Sequence, residues 1–132
     1  MGKHLKLWVS IAVLAAASGN AAAEWASIGD QGQAEVFVDR ATIVRKGDTA
    51  TLWSVNALKS PGTAGGKTYV SLKRQDEFDC KNSLTRGVQI SAHPQPLGEG
   101  EVIVSEKGSG KWVPISPGSP SETLWQIACG KE

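Results

Sequence analysis

The chain has 132 residues, with 14 lysines and arginines against 13 aspartates and glutamates and a formal charge of +1 at neutral pH. That length holds one small domain with a modest core, and so balanced a charge gives no broad field for nucleic acid or an anionic membrane. With only two histidines and two cysteines, a histidine- or thiolate-built metal centre is short of ligands.

Met1 to Ala23 reads as a signal peptide. Lys3, His4 and Lys6 make a positive start, Leu7 to Ala17 is almost unbroken apolar sequence, and Ala21-Ala22-Ala23 offers small residues for cleavage before Glu24. The apolar run is about half the roughly 20 residues that a membrane span needs. No cysteine follows it to accept a lipid. The expectation is an exported domain over residues 24–132, periplasmic, secreted or at the cell surface, not lipid-anchored and without a membrane span once the signal is cleaved. Lys3 and Lys6 leave with the signal, so residues 24–132 carry slightly more acid than base. Trp25, Trp53, Trp112 and Trp125 all lie in this part, and so many indoles favour a packed core over disorder.

Short β-runs then follow one another. Glu24 to Asp30 is a first strand, ended by Gly29-Asp30-Gln31-Gly32, and Glu35 to Asp39 alternates with Val36 and Val38 on one face. Ala41 to Arg45 and Asp48 to Leu58 flank a turn at Lys46-Gly47. Lys59 to Gly66 has no apolar residue larger than alanine and reads as a loop tip. Lys67 to Lys73 alternates again. In Leu84 to Ser91, Val88 and Ile90 are expected on one face and Gln89 on the other. Two prolines exclude Ala92 to Gly100 from a central strand, Glu101 to Ser105 resumes the β pattern, and Pro114 suits an edge strand over Lys111 to Ile115.

The last segment changes period. Ser119-Pro120-Ser121-Glu122 is a capping box with proline at the first helical position, Leu124, Trp125, Ile127 and Ala128 follow at helical spacing, and Gly130 stands at the terminus. A helix of two to three turns does not persist alone in water and must pack on the sheet. The fold class is therefore α+β: a mainly antiparallel sheet of about six to seven short strands backed by a short C-terminal helix.

Cys80 and Cys129 are the two cysteines. In an oxidising compartment a structural disulfide is the expected state. The competing readings are a metal site, which His93 and two cysteines supply poorly, and a redox pair, which normally has close spacing.

No motif for hydrolysis or phosphate binding occurs, and no cofactor is implied. His93, between Ala92 and Pro94, reads as a solvated loop residue rather than a lone base. Asp76, Glu77 and Asp79 are too few for calcium without further oxygens, so Asp79 is expected to cap a turn or pair with Lys81. Lys73, Arg74, Lys81 and Arg86 flank the same segment and form a candidate basic patch for an acidic protein partner, against the plainer reading of charged decoration on sheet edges. Trp112, on the expected edge strand, is the candidate binding indole for ligand stacking, whereas Trp53 and Trp125 are expected in the core.

The order of these pieces resembles a known family. Asp39 and Ile43, Leu52-Trp53, Glu77-Phe78-Asp79-Cys80-Lys81-Asn82, Gly98-Glu99-Gly100-Glu101-Val102, Trp112-Val113-Pro114-Ile115, Pro117-Gly118-Ser119 and Leu124-Trp125-Gln126-Ile127-Ala128-Cys129 are together similar to the surface-adhesin protein E-like domain of Gram-negative bacteria. The resemblance implies an antiparallel sheet with a C-terminal helix, a disulfide between the matching cysteines, and an envelope location. It also implies attachment to host matrix proteins, as for the adhesin that names the family. That adhesin is a surface lipoprotein, and the lipidation cysteine is the point where this chain departs from it. The function expected is a non-enzymatic binding module for a protein partner. The alternative is a periplasmic small-molecule carrier or an enzyme of the cell envelope, and a homodimer through sheet edges or faces is a further expectation.

Overall fold

The computed structural model describes residues 23–132, and the signal-peptide reading falls outside them except for Ala23. Strands β1 (Ala26–Asp30), β2 (Ala34–Lys46), β3 (Thr49–Ala64), β4 (Lys67–Asp79), β5 (Leu84–His93) and β6 (Val104–Lys107) form an antiparallel meander in chain order. A two-residue strand β7 (Val113–Pro114) pairs with the start of β5, at Leu84 and Thr85, while β6 pairs with its end, at Gln89 to Ala92. Helix α1 (Pro120–Cys129) packs across β2, β3 and β4. The α+β class expected from the sequence is the one observed, with seven strands, one C-terminal helix and the Cys80–Cys129 bridge.

The central strands are not short. β2 and β4 have 13 residues each and β3 has 16. The expected loop over Lys59 to Gly66 is mostly strand: β3 bulges after Ala57, resumes pairing at Gly62 with Tyr69, and turns back only at Gly65-Gly66. Both glycines have positive φ, 55° and 78°, as a two-residue hairpin turn matching the strand twist requires. The segment lacks large apolar residues because it projects beyond the core, and it is held by pairing from Gly62 onward, by the Tyr69 ring against Gly62 and by an ion pair of Lys59 with Asp30.

Each of the four ladders joining β1 to β5 contains an irregularity, and these re-aim side chains. Val36 and Val38 point to the helix side of β2. After the break between Asp39 and Val44 the parity changes, and Ile43 packs against the same core. The buried Asp39 organises that break, since its carboxylate accepts from the Ala41 and Glu24 amides at 3.0 and 3.2 Å. The Thr42 hydroxyl donates to the Asp39 carbonyl at 2.6 Å and accepts from Trp53 N at 3.1 Å, standing in for a missing ladder partner. On β5 the extra residue is Val88: Gln75 faces Gln89 but Asp76 faces Gly87. Val88 is therefore an exposed bulge rather than Ile90's companion on one face.

The core lies between the helix and one sheet face. Val36, Val38, Ala50, Leu52 and Phe78 meet Leu124, Ile127, Ala128 and Cys129. The helix begins as its sequence dictates, with Ser119 Oγ accepting from Glu122 N at 3.3 Å and Pro120 in the first turn. Glu122 reaches back to Gly118 N at 3.3 Å rather than to the Ser119 amide. At the other end Gly130 takes the left-handed conformation, φ 66°. Arg45 Nε donates to the Ala128 carbonyl at 3.1 Å, which places a cation at the negative end of the helix dipole. Trp125 Nε1 donates to the Asp79 carbonyl at 3.0 Å, and the disulfide spans a Cα–Cα distance of 5.6 Å. Helix and β4 are thus joined covalently and by hydrogen bonds at one corner.

Two further expectations are corrected. The strand at Glu101 to Ser105 begins only at Val104, because Gly98 and Gly100 hold the preceding backbone at positive φ and residues 101–103 follow an irregular path. His93 is not a solvated loop residue. It ends β5, is 5% exposed, and hydrogen-bonds Ser91 Oγ through Nε2 at 2.7 Å and the Gly100 carbonyl through Nδ1 at 3.3 Å. The proline-rich segment folds back over the sheet, where Ser71 Oγ donates to Gln95 O at 2.7 Å and accepts from Gly98 N at 2.9 Å.

Candidate functional site

Strand alternation divides the basic residues picked from the sequence between two faces. Lys73 pairs with Val55 and Ser91 on the outer face, away from the helix, whereas Arg74 pairs with Ser54 and Ile90 on the helix side. Both lie on a central strand, so the plainer reading of them as edge decoration does not hold. Lys81 sits apart, exposed in the turn between β4 and β5. A single patch of all four basic residues is not what the fold assembles.

What the outer face brings together is a pair of cation–aromatic contacts. Lys73 Nζ lies 5.1 Å from the centre of the Trp53 ring, and the Arg86 guanidinium lies 4.2 Å from that of Trp112. Between them the Gln89 and Gln75 amides are hydrogen-bonded at 3.0 Å. Arg86 is held in place by Glu77, with Nε to Oε1 at 2.6 Å, since the two residues face each other across β4 and β5. Trp53 thus belongs to this face and not to the helix-side core, although its apolar neighbours suggested burial. Its opposite number in parity, Leu52, is the buried one. Counting alternation outward from Leu52 is the signal that would have placed Trp53. Trp125 does pack against the core.

Asp79 serves the turn. Its carboxylate accepts from Lys81 N, Asn82 N and Asn82 Nδ2 at 2.9 to 3.0 Å. These bonds, that from the Asn82 side chain foremost, hold the carboxyl below the usual aspartate range, with Lys81 adding a weaker attraction. A depressed folded-state pKa contributes stability above the unfolded value, lost as pH falls through the folded one. The expected result is an Asp79 titration midpoint below that of an ordinary aspartate by NMR, moving upward in Asn82→Ala. An unchanged midpoint in that variant would show that the Asn82 side chain is not the cause.

On the helix side, sequence reasoning missed a trough beside the N-terminus of α1. It is an open groove of about 550 Å³ lined by Val36, Leu58, Leu72, Leu124, Arg74 and Asp76 among others. Asp76 is buried, and it takes two hydrogen bonds from Arg74, Nε to Oδ2 at 2.8 Å and Nη2 to Oδ1 at 2.7 Å. These bonds raise the Arg74 pKa above its ordinary value against the opposing effect of burial. In the sequence Asp76 stood as one of three neighbouring carboxylates. Its separation from Glu77 and Asp79 follows from alternation and from the turn.

No curated protein matches the chain. Solved structures of Haemophilus influenzae protein E share the fold. One crystal form is 14% identical with a TM-score of 0.62, covering 73% of this chain and 80% of that one. A selenomethionine form is 12% identical with a TM-score of 0.62, covering 80% and 85%. Protein E from a non-typeable strain is 15% identical with a TM-score of 0.60, covering 79% and 75%. The sequence profile of surface-adhesin protein E matches residues 25–130, nearly all that lies beyond the apolar N-terminus, so the chain belongs to the surface-adhesin protein E family.

Proposed function

We propose that the protein is a non-enzymatic, exported envelope protein that binds a protein partner through the outer face of its sheet, with host matrix proteins as the partner class. The observation that carries this reading is the paired arrangement of Lys73 on Trp53 and Arg86 on Trp112 around the Gln75–Gln89 amide bridge. Tryptophan and arginine dominate the binding energy of protein interfaces, and indoles already covered by cations lose little freedom on docking. Family membership supports both export and adhesion. Lys81 and Arg74 fall outside this surface in the proposal, Lys81 by distance along the turn and Arg74 by facing the helix side.

The test is capture of the protein on a panel of immobilised mammalian matrix proteins, together with protease accessibility on intact cells. The Lys73→Glu, Arg86→Glu and Trp112→Ala variants are expected to weaken capture by about tenfold or more each, as interface hot spots do. Capture unchanged in all three would remove the outer face from the reading. Protection of the protein in intact cells would remove adhesion.

A further inference from the structure

The trough on the helix side is not used by the protein-binding reading. α1 covers only the part of the sheet face around Leu52 and Phe78 and leaves Leu58 and Leu72 half-buried beyond its first turn. The volume of this open trough, about 550 Å³, falls in the usual range for small-molecule clefts, roughly 300–1,000 Å³. Its lining is amphipathic, with Val36, Leu58, Leu72 and Leu124 on an apolar side and charged, amide and hydroxyl groups making up about half of the wall.

The charged groups give the polarity of the ligand. Asp76 is buried on a sheet face that is otherwise apolar at its centre, where an ionised carboxylate is costly unless paired. Its one ionic partner among the described residues is Arg74, which it grips by Nε and one Nη2 hydrogen. A guanidinium has five N–H donors, so Arg74 keeps Nη1 and the second Nη2 hydrogen free, and 37% of its side chain remains exposed. The buried carboxylate thus fixes the fork of the arginine, which lines the trough. Lys111, across the trough, has no ion pair among the described residues. Directly across the ladder from Arg74, the buried Ser54 hydroxyl has no hydrogen-bond partner among the described residues. With Asp76 committed to Arg74, and Arg86 at the rim to Glu77, the lining retains a net positive charge.

We propose that this trough binds a small amphipathic monocarboxylate, its head on the free edge of Arg74 and its aliphatic tail along Val36, Leu58 and Leu72. A planar two-oxygen head matches the arginine fork, and charge-assisted pairing of this kind is stronger than a neutral hydrogen bond. The apolar floor rewards a tail, so acetate is too small and a cationic amphiphile has the wrong sign.

Titration calorimetry with sodium decanoate tests the assignment. The protein is expected to bind decanoate saturably, and to bind acetate and decyltrimethylammonium at least tenfold more weakly. Arg74→Lys keeps the charge and removes the fork, and binding is expected to fall about tenfold to a hundredfold, the worth of charge-assisted hydrogen bonds. The double variant Arg74→Met with Asp76→Leu replaces the whole pair by apolar groups, a change that folded proteins tolerate, and should lose the preference for decanoate over decyltrimethylammonium. Decanoate affinity unchanged in Arg74→Lys overturns the proposal. So does equal binding of the ammonium amphiphile, or no saturable decanoate binding at millimolar concentration.

Discussion

Replacing both cysteines by alanine is expected to lower the unfolding free energy by about 4 kcal/mol, on the chain-entropy account of a disulfide closing a loop with a sequence separation of 49. Total stability for a domain of this kind is about 5–15 kcal/mol, so the variant stands near the threshold of folding. The size of the effect follows from what the bridge joins. Cys129 is the last residue of a ten-residue helix, too short to persist in water without tertiary packing. Cys80 follows directly on β4 at the corner where Trp125 bonds the Asp79 carbonyl. Alanine is the substitution of choice because Cys129 is buried and a serine hydroxyl there would need a partner. Urea unfolding of the variant against the oxidised parent measures the difference. A loss below about 1 kcal/mol would show that Leu124, Ile127 and the Arg45 contact already hold the helix without covalent help, contrary to the loop-closure argument.

The terminal helix was legible in the sequence because its determinants are local. A serine cap, a proline at the first position, an acid in the first turn and a glycine at the end act within a few residues of one another. The bridge was legible because only two cysteines exist. What depends on pairing was not. Whether Lys59 to Gly66 is loop or strand is decided by the long Lys67–Asp79 partner beside it, not by its own composition. Val88 becomes a bulge only because Asp76 meets Gly87. His93 is buried because a segment seven residues later folds back to Gly100 and covers it. The candidate sites divide in the same way. Consecutive strand residues point to opposite faces, and that rule divides Lys73 from Arg74, which sequence reasoning had grouped in one patch. The trough was not foreseeable, since it exists only where the helix stops short of the sheet's far end.

Phe78→Ala is the second large effect, expected at about 3–5 kcal/mol from lost transfer energy and the cavity left behind. Phe78 is 1% exposed and is the largest of the fully buried side chains. Its ladder neighbours on the same face are Ala50 and Thr85, small residues that leave the ring as the main filler between sheet and helix. Relaxation into the space is restricted on two sides. The disulfide two residues later ties β4 to the helix, and the ladders to β3 and β5 hold the backbone from either edge. Phe78→Leu keeps most of the volume and is expected to cost less than about 1.5 kcal/mol. Both variants should shift the urea midpoint without changing its slope, since the surface exposed on unfolding is nearly the same. The ring and the bridge act on the same corner, so their losses should not add. With the cysteines already replaced, the helix is free to settle toward the sheet, and Phe78→Ala should cost less than in the oxidised protein. Equal costs in the two backgrounds would show that the bridge does not fix the height of the helix above Phe78, and that its contribution lies in the unfolded chain alone.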